Sequence, residues 1–216
     1  MNTPDTASAF GWTVADLFDH FGPVTHARIR QDPPPGTATE QDVIEIHDRE
    51  DRLYELADGV LVEKVMGVQE SFLAVLIGRY LDAHAELHDL GFVQGADGMA
   101  RLAPGLVRIP DVAFISWSRC PTRKVPSQPM LDFAPDLAVE VLSPSNTQRE
   151  MQRKLGDYFG SGVAAVWYVD PVKRQVQVYT AVDRSTLVTQ DQVLTGEPVL
   201  PGFTLNLREL FARLDR

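Results

Sequence analysis

The sequence predicts a mixed α/β (α+β) fold with one mixed central β-sheet flanked by helices. Short apolar runs of strand length occur throughout the chain, and several segments have helical periodicity. The strands and helices do not alternate in a strict βαβ repeat. The chain has 216 residues, of which 44% are apolar and 23% are charged, and this is enough for one sizeable core.

The first 52 residues are predicted to be an N-terminal extension. Residues 12–21 have the pattern of a short amphipathic helix, with Thr13 as its cap and Gly22 at its end. A proline-rich stretch over 32–36 predicts a stiff linker, and the polar residues 37–51 allow a short helix.

Residues 53–216 are predicted to form the single large domain. A hairpin is expected at Asp58-Gly59, and a long helix covered on more than one side is expected over 68–87. The remaining predicted elements are strands at 91–94, 99–102, 112–116 and 137–142, a helix over 147–159, a hairpin of 165–169 with 175–180, short strands between 186 and 194, and a last helix over 207–214.

Composition excludes several classes of protein. The single cysteine, Cys120, excludes an internal disulfide framework and a multi-cysteine zinc site, and it favours a reducing, cytoplasmic location. No run of eighteen apolar residues exists, so no transmembrane helix is expected, and the N-terminus has no secretory-signal pattern.

The charge is unevenly distributed. A net charge of −10 argues against a non-specific nucleic-acid coat. Residues 101–130 are nevertheless locally basic, because only one acid, Asp111, lies among five bases. A solvated loop face is the simple explanation, and contact with a polyanion is the alternative. The five bases are Arg101, Arg108, Arg119, Arg123 and Lys124.

Glu140 is the first candidate for chemistry, because it lies in the most apolar strand of the chain, 137–142. A buried carboxylate without a partner costs several kcal/mol, so either an ion pair or a metal ion must offset it. A metal ion needs a second acid, and Asp111 opens another strand directly after Pro110. Alone, Asp111 is a turn residue; beside Glu140 it would complete a hard-oxygen site suited to Mg²⁺.

Lys154 and Glu70 are two further candidates. Lys154 lies on the flank of the apolar stripe of its helix, where its ammonium could return to the sheet edge. The alternative is a surface pair with Glu150. Glu70 shares an otherwise apolar row of the long helix, although an acid near a helix N-terminus is also favoured by the helix dipole. Glu55 and Glu63 on the predicted hairpin are expected to face solvent.

Several motifs together resemble the Uma-type family, bacterial proteins usually called "putative restriction endonucleases", which is similar to a branch of the PD-(D/E)XK nuclease superfamily. The resemblance covers roughly residues 53–210. It is carried by Leu56-Ala57-Asp58-Gly59-Val60-Leu61-Val62-Glu63-Lys64, Glu70-Ser71, Arg108-Ile109-Pro110-Asp111-Val112-Ala113-Phe114, Pro135-Asp136-Leu137-Ala138-Val139-Glu140-Val141-Leu142-Ser143-Pro144-Ser145-Asn146, Lys154-Leu155 with Tyr158, and Trp167-Tyr168-Val169-Asp170-Pro171.

The resemblance implies a restriction-endonuclease-like fold and a set of site residues. Asp111 and Glu140 match the two metal-binding acids, with the Val141 carbonyl as a further ligand. The superfamily's lysine two residues after the second acid is missing, because Leu142 stands there. Lys154 matches a lysine that has moved to the next helix, and Glu70 matches a glutamate that completes the catalytic set.

The function implied by the resemblance is metal-dependent hydrolysis of DNA by a homodimer. Mg²⁺ or Mn²⁺ would be the cofactor, and the five bases of the segment 101–130 would contact the DNA backbone without reading its sequence. Two alternatives remain open: a nuclease-like module without catalysis that binds or regulates, and an enzyme acting on another phosphate-bearing or small substrate.

Overall fold

The computed structural model describes residues 12–23 and 26–215, except for the side chain of His26. These residues form five α-helices: α1 (Val14–Phe21), α2 (Glu40–Glu50), α3 (Val68–Leu87), α4 (Gln148–Gly160) and α5 (Leu207–Phe211). Two short 3₁₀ helices span His26–Arg28 and Ala212–Asp215.

The strands are β1 (Tyr54–Ala57), β2 (Val60–Glu63), β3 (Gly91–Gln94), β4 (Met99–Ala103), β5 (Leu106–Arg108), β6 (Val112–Ser116), β7 (Met130–Leu131), β8 (Leu137–Val141), β9 (Ala165–Asp170), β10 (Gln175–Ala181), β11 (Arg184–Thr189), β12 (Val193–Thr195) and β13 (Thr204–Asn206). The mixed α+β class predicted from the sequence is confirmed.

The strands divide among three sheets rather than one. The largest has the order β11-β10-β9-β8-β6-β3, and it is mixed because β8 and β9 run parallel while the other pairs are antiparallel. A five-stranded sheet has the order β2-β1-β5-β4-β7, and β12 pairs with β13. Although β3 and β4 are consecutive, they belong to different sheets, because β3 pairs with β6 and β4 pairs with β5.

Local sequence explains where three helices begin. Thr13, Thr39 and Thr147 each accept a hydrogen bond from the backbone N–H three residues later, and the acid at that later position bonds back to the threonine N–H. Such a capping box satisfies two backbone donors that a helix start leaves free. Both predicted ends of α1, at Thr13 and Gly22, are therefore correct.

The core lies on both faces of the six-stranded sheet. On one face, α3 and α5 cover Val139 and Trp167, both of which are almost completely buried. On the other face, α4 covers Ala138 and Val166. Because successive strand residues point to opposite faces, β8 is buried along its whole length.

Residues before the predicted domain boundary at 52 also pack onto this structure. Val43 and Ile46 of α2 are buried in one cluster with Leu56 of β1. No helix in the described part of the chain combines the length and the apolar composition needed to span a membrane.

Candidate active site

Glu140 is held inside the protein on the face of β8 that α4 covers. Strand alternation places it on the same side as Ala138, and it is only 5% exposed. Lys154 and Tyr158 lie four residues apart on one side of α4, and both donate hydrogen bonds to Glu140 Oε1, at 3.1 and 2.6 Å. The alternative in which Lys154 pairs with Glu150 on the surface does not hold, because Lys154 is itself only 5% exposed.

Burial and neighbouring charges together shift the pKa values of these three groups. Burial raises the pKa of the Glu140 carboxyl, although Lys154 counteracts part of that effect. Burial alone would lower the pKa of Lys154, but the neighbouring carboxylates Glu140 and Glu55 raise it above its ordinary value. Burial and the nearby Glu140 also raise the pKa of Tyr158. The raised pKa values keep Lys154 positively charged at neutral pH and keep the Tyr158 hydroxyl protonated, so that it donates its hydrogen bond to Glu140.

Asp111 reaches the same region from the start of β6. Its backbone N–H donates to the Val139 carbonyl at 2.9 Å, which holds it beside β8. Its Oδ2 accepts a 2.6 Å hydrogen bond from the Val141 N–H, and its Oδ1 lies 2.8 Å from Lys64 Nζ. Two acids from neighbouring strands are thus each fixed by a lysine.

Glu55 of β1 belongs to the same network, so the prediction that it faces solvent is wrong. It is 3% exposed, and its Oε1 lies 2.9 Å from Lys154 Nζ and accepts a hydrogen bond from the Ile109 N–H. Its Oε2 accepts from Arg108 at 2.9 Å. Burial alone would raise the pKa of Glu55, but Lys154, Arg108 and Lys64 together lower it to about 2.

The structure places Arg108 inside the protein, although the sequence suggested a contact with DNA. Its side chain is 4% exposed and binds both Glu55 and Asp157. Burial would lower its pKa, but the charges of Glu55 and Asp157 raise it. Arg108 therefore neutralises buried acids, and its guanidinium is not accessible to a nucleic acid at the surface.

A small polar cavity of about 20 Å³ lies where these side chains meet. That volume admits about one water-sized group. Its walls are formed by Arg28, Glu55, Lys64, Val65, Asp111, Glu140, Val141, Asn146 and Lys154. Two larger clefts adjoin it, since Asn146 also lines a cleft of about 620 Å³ and Asp111 also lines a cleft of about 420 Å³.

Glu70 is not one of the residues that line this cavity. It lies in the first turn of α3, is 8% exposed, and folds back over Gly67. A Cβ atom on Gly67 would come within 2.3 Å of Glu70 Oε2. Of the four predicted catalytic side chains, the structure thus brings Asp111, Glu140 and Lys154 together at the cavity. Glu70 stays outside the cavity lining, in the first turn of α3.

The donor set of the cavity suits a hard divalent cation. Asp111 and Glu140 offer carboxylate oxygens, and Glu140 Oε2 accepts no hydrogen bond from the residues that the structure describes. Mg²⁺ commonly uses one or two protein carboxylates and keeps several waters. Among the described residues, no cluster of three or more His, Cys, Asp or Glu side chains has metal-binding geometry. A bound cation would therefore depend on these two acids, with Val141 also at the cavity wall.

The other predicted DNA-binding bases do not line the cavity. Arg119, Arg123 and Lys124 follow the far end of β6 from Asp111. Arg123 pairs with Asp89, just beyond the C-terminal end of α3, a helix about 30 Å long whose first turn contains Glu70.

Each predicted base except Lys124 also has an acidic partner. Arg101 pairs with Asp132 and Arg119 with Asp136, whereas Lys124 is exposed and makes no ion pair with the described residues.

Sequence reasoning missed Glu55, Lys64 and Arg28 as parts of the site. The signal for Glu55 was the same as for Glu140, an acid inside an apolar strand, here Tyr54-Glu55-Leu56-Ala57. Lys64 directly follows β2, and nothing in its local sequence distinguishes it from a surface lysine. Arg28 reaches the cavity from the segment before β1 and binds Glu150, whose side chain is 8% exposed.

Comparison with known proteins identifies the family of the chain. A model of the Uma2 family, described as "Putative restriction endonuclease", matches residues 40–208. The chain belongs to the Uma2 family. Asp111, Glu140 and Lys154 all lie inside the matched region, which begins with α2.

The fold is also that of a solved structure. It is similar to the crystal structure of a "putative nuclease belonging to DUF820" from Anabaena variabilis ATCC 29413, with a TM-score of 0.67 and 18% sequence identity. The similarity covers 76% of this chain and 92% of the Anabaena chain. No curated protein matches the sequence. The structural likeness shows that this Uma2 protein shares the fold of that chain.

Proposed function

We propose that this Uma2 protein is a metal-dependent endonuclease that hydrolyses phosphodiester bonds of DNA at the Asp111–Glu140 cavity. The observation that carries the proposal is the meeting of these two carboxylates with two lysines in one small polar cavity. Family membership supports nuclease chemistry.

The chain's own residues would hold and orient the reactants. Asp111 and Glu140 would hold Mg²⁺ or Mn²⁺, which when bound polarises a phosphoryl oxygen and lowers the pKa of water. The Val141 N–H fixes the plane of the Asp111 carboxylate, and Tyr158 fixes that of Glu140. Lys154 remains charged and would stabilise negative charge that grows on the phosphate.

The substrate would approach through the adjoining clefts. The cavity itself admits about one water-sized group, so only a phosphate oxygen or a water could enter it. Arg28, Lys64 and Lys154 are the cations nearest to such a phosphate. We assign to the bases that do not line the cavity at most contacts that position a long duplex; these bases are Arg101, Arg119, Arg123 and Lys124.

One observation favours a second candidate function, a nuclease-like module that binds without cutting. Asp111 has a partner on each of its oxygens, and Glu140 Oε1 accepts from two donors. These contacts satisfy the buried acids without a metal ion, as a purely structural ion-pair network would.

Metal titration followed by a cleavage assay separates the two candidates. We expect calorimetry to detect Mn²⁺ binding to the wild type, and Asp111→Asn or Glu140→Gln to abolish it. Nicking of supercoiled plasmid should require the ion and be lost in the same variants. Glu63→Gln is the matched control, because Glu63 pairs with Arg52 and does not line the cavity.

A wild type that folds but neither binds Mn²⁺ nor nicks plasmid would overturn the proposed function and favour the binding module. Cleavage of short RNA or nucleotides in preference to plasmid would contradict the DNA substrate while retaining the hydrolase.

A further inference from the structure

Lys64 contacts the predicted metal ligand Asp111 directly. Its side chain is only 7% exposed, and its Nζ lies 2.8 Å from Asp111 Oδ1. The same ammonium donates a hydrogen bond to the Ile109 carbonyl, and Lys64 lines the cavity beside Glu140. The Lys64 ammonium therefore lies next to the oxygen that a metal ion bound to Asp111 would use.

The other oxygen of Asp111 offers no easy alternative. Oδ2 accepts a 2.6 Å hydrogen bond from the Val141 N–H, which also fixes the plane of the carboxylate. A divalent ion that binds Asp111 through Oδ1 must share that oxygen with the Lys64 ammonium or displace it. Two cations bound to one oxygen repel each other strongly in a largely buried site, where little water screens their charges.

The two cavity lysines are held differently. Lys154 lies between two carboxylates, 2.9 Å from Glu55 and 3.1 Å from Glu140. Lys64 has one carboxylate and one backbone carbonyl as its partners. Moreover, Glu140 retains Oε2 for another ligand, so Lys154 does not block its carboxylate. Among the cavity residues that the structure describes, Lys64 is therefore the cation that a metal ion at Asp111 Oδ1 would have to displace.

The carboxylates of the cavity are already paired with cations in the absence of a divalent ion. Asp111 contacts Lys64, Glu140 contacts Lys154, and Glu55 contacts both Lys154 and Arg108. An added charge of +2 would compete with these pairs, and the least firmly held cation would move first. A lysine is suited to such movement, because its compact ammonium sits on a flexible four-carbon stem.

We propose that Lys64 is a positioning residue that acts as an internal counter-ion: it holds Asp111 in its orientation in the metal-free protein and competes with the divalent ion for Oδ1. This inference rests on the proposed function, since it assumes that Asp111 is a metal ligand. It predicts that removal of the Lys64 charge tightens metal binding while it weakens the metal-free fold.

The test is calorimetric titration of Mn²⁺ into EDTA-treated and dialysed wild type, Lys64→Met and Lys154→Met. Lys64→Met should bind Mn²⁺ on the order of tenfold more tightly than the wild type. Its thermal midpoint should be lower than that of the wild type without the ion, and Mn²⁺ should raise it by more. Lys154→Met is the matched control, because it also removes one cavity charge but should not tighten binding.

Each result bears on the inference. Unchanged or weaker Mn²⁺ binding by Lys64→Met would overturn it and leave the proposed function intact. An equal gain in Lys64→Met and Lys154→Met would also overturn it, since charge removal in general would then suffice. If Lys64→Met does not fold, Lys64→Gln takes its place, because it keeps a donor for Asp111 without the charge. Failure of the wild type and all variants to bind Mn²⁺ would overturn the proposed function together with this inference.

Discussion

Replacement of Glu55 by glutamine should destabilise the protein and make its stability less sensitive to acid. Glu55 joins Lys154, Arg108 and the Ile109 N–H inside the protein, so the neutral amide leaves two buried cations short of a partner. The folded-state pKa of Glu55 is about 2, compared with an ordinary 4.5. This difference corresponds to a stabilisation on the order of 3 kcal/mol at pH 7, since each pKa unit is worth about 1.4 kcal/mol.

The sign of the pH dependence follows from the lowered pKa. The stabilisation by Glu55 is fully present above pH 4.5, and it is lost as the pH falls from 4.5 through about 2. At pH 3 roughly half of it remains. Glu140, whose pKa is raised by burial, changes stability in the opposite direction, but it is present in both proteins that are compared.

Urea unfolding of the wild type and Glu55→Gln at pH 7 and pH 3 measures this difference. The gap between their unfolding free energies should be on the order of 3 kcal/mol at pH 7 and roughly half as large at pH 3. Glu63 lies at the end of the neighbouring strand β2 and forms a partly exposed pair with Arg52, so Glu63→Gln should cost about 1 kcal/mol or less. The predicted role of Glu55 would be refuted if Glu55→Gln lowered the free energy of unfolding by no more than Glu63→Gln does. It would also be refuted if the difference between the wild type and Glu55→Gln were as large at pH 3 as at pH 7.

Three further predictions concern neighbouring contacts and assembly. Tyr158→Phe removes a 2.6 Å hydrogen bond to the buried Glu140 carboxylate, and urea unfolding should show a loss of about 2 kcal/mol. Thr147→Ala removes the capping box at the start of α4 and should cost about 1 kcal/mol, with Thr147→Ser restoring most of it. Light scattering should give twice the mass of one 24.0 kDa chain, because two sites are needed to cut the two strands of DNA; a single 24.0 kDa species would exclude the homodimer.

Much of the fold could be predicted because its signals are local. The threonine cap of α1 and the Asp58-Gly59 turn each depend on a few adjacent residues. The long helix over 68–87 was predicted with its observed ends. In contrast, the assignment of β3 and β4 to different sheets could not be predicted, because each strand pairs with a partner distant in sequence.

The site was predictable only in part, for the same reason. An acid inside an apolar strand requires a partner, and that requirement singled out Glu140 from sequence alone. Glu55 satisfies the same rule, yet its short strand on a predicted hairpin suggested an exposed face. The positions of Lys64 and Arg28 at the cavity could not be predicted from their local sequence, since a lysine or arginine is usually exposed to solvent.

The sequence by itself determined the mixed α+β class, the approximate boundaries of α1, α3 and α4, and the presence of a buried acid that needs a counter-charge. These features depend on backbone capping, helical periodicity and the cost of burial. Only the tertiary structure decided which cations supply that counter-charge. It pairs Lys64 with Asp111, Lys154 with Glu55 and Glu140, and Arg108 with Glu55 and Asp157. Electrostatic partners are chosen by distance in space, and the sheets bring together residues that are far apart along the chain.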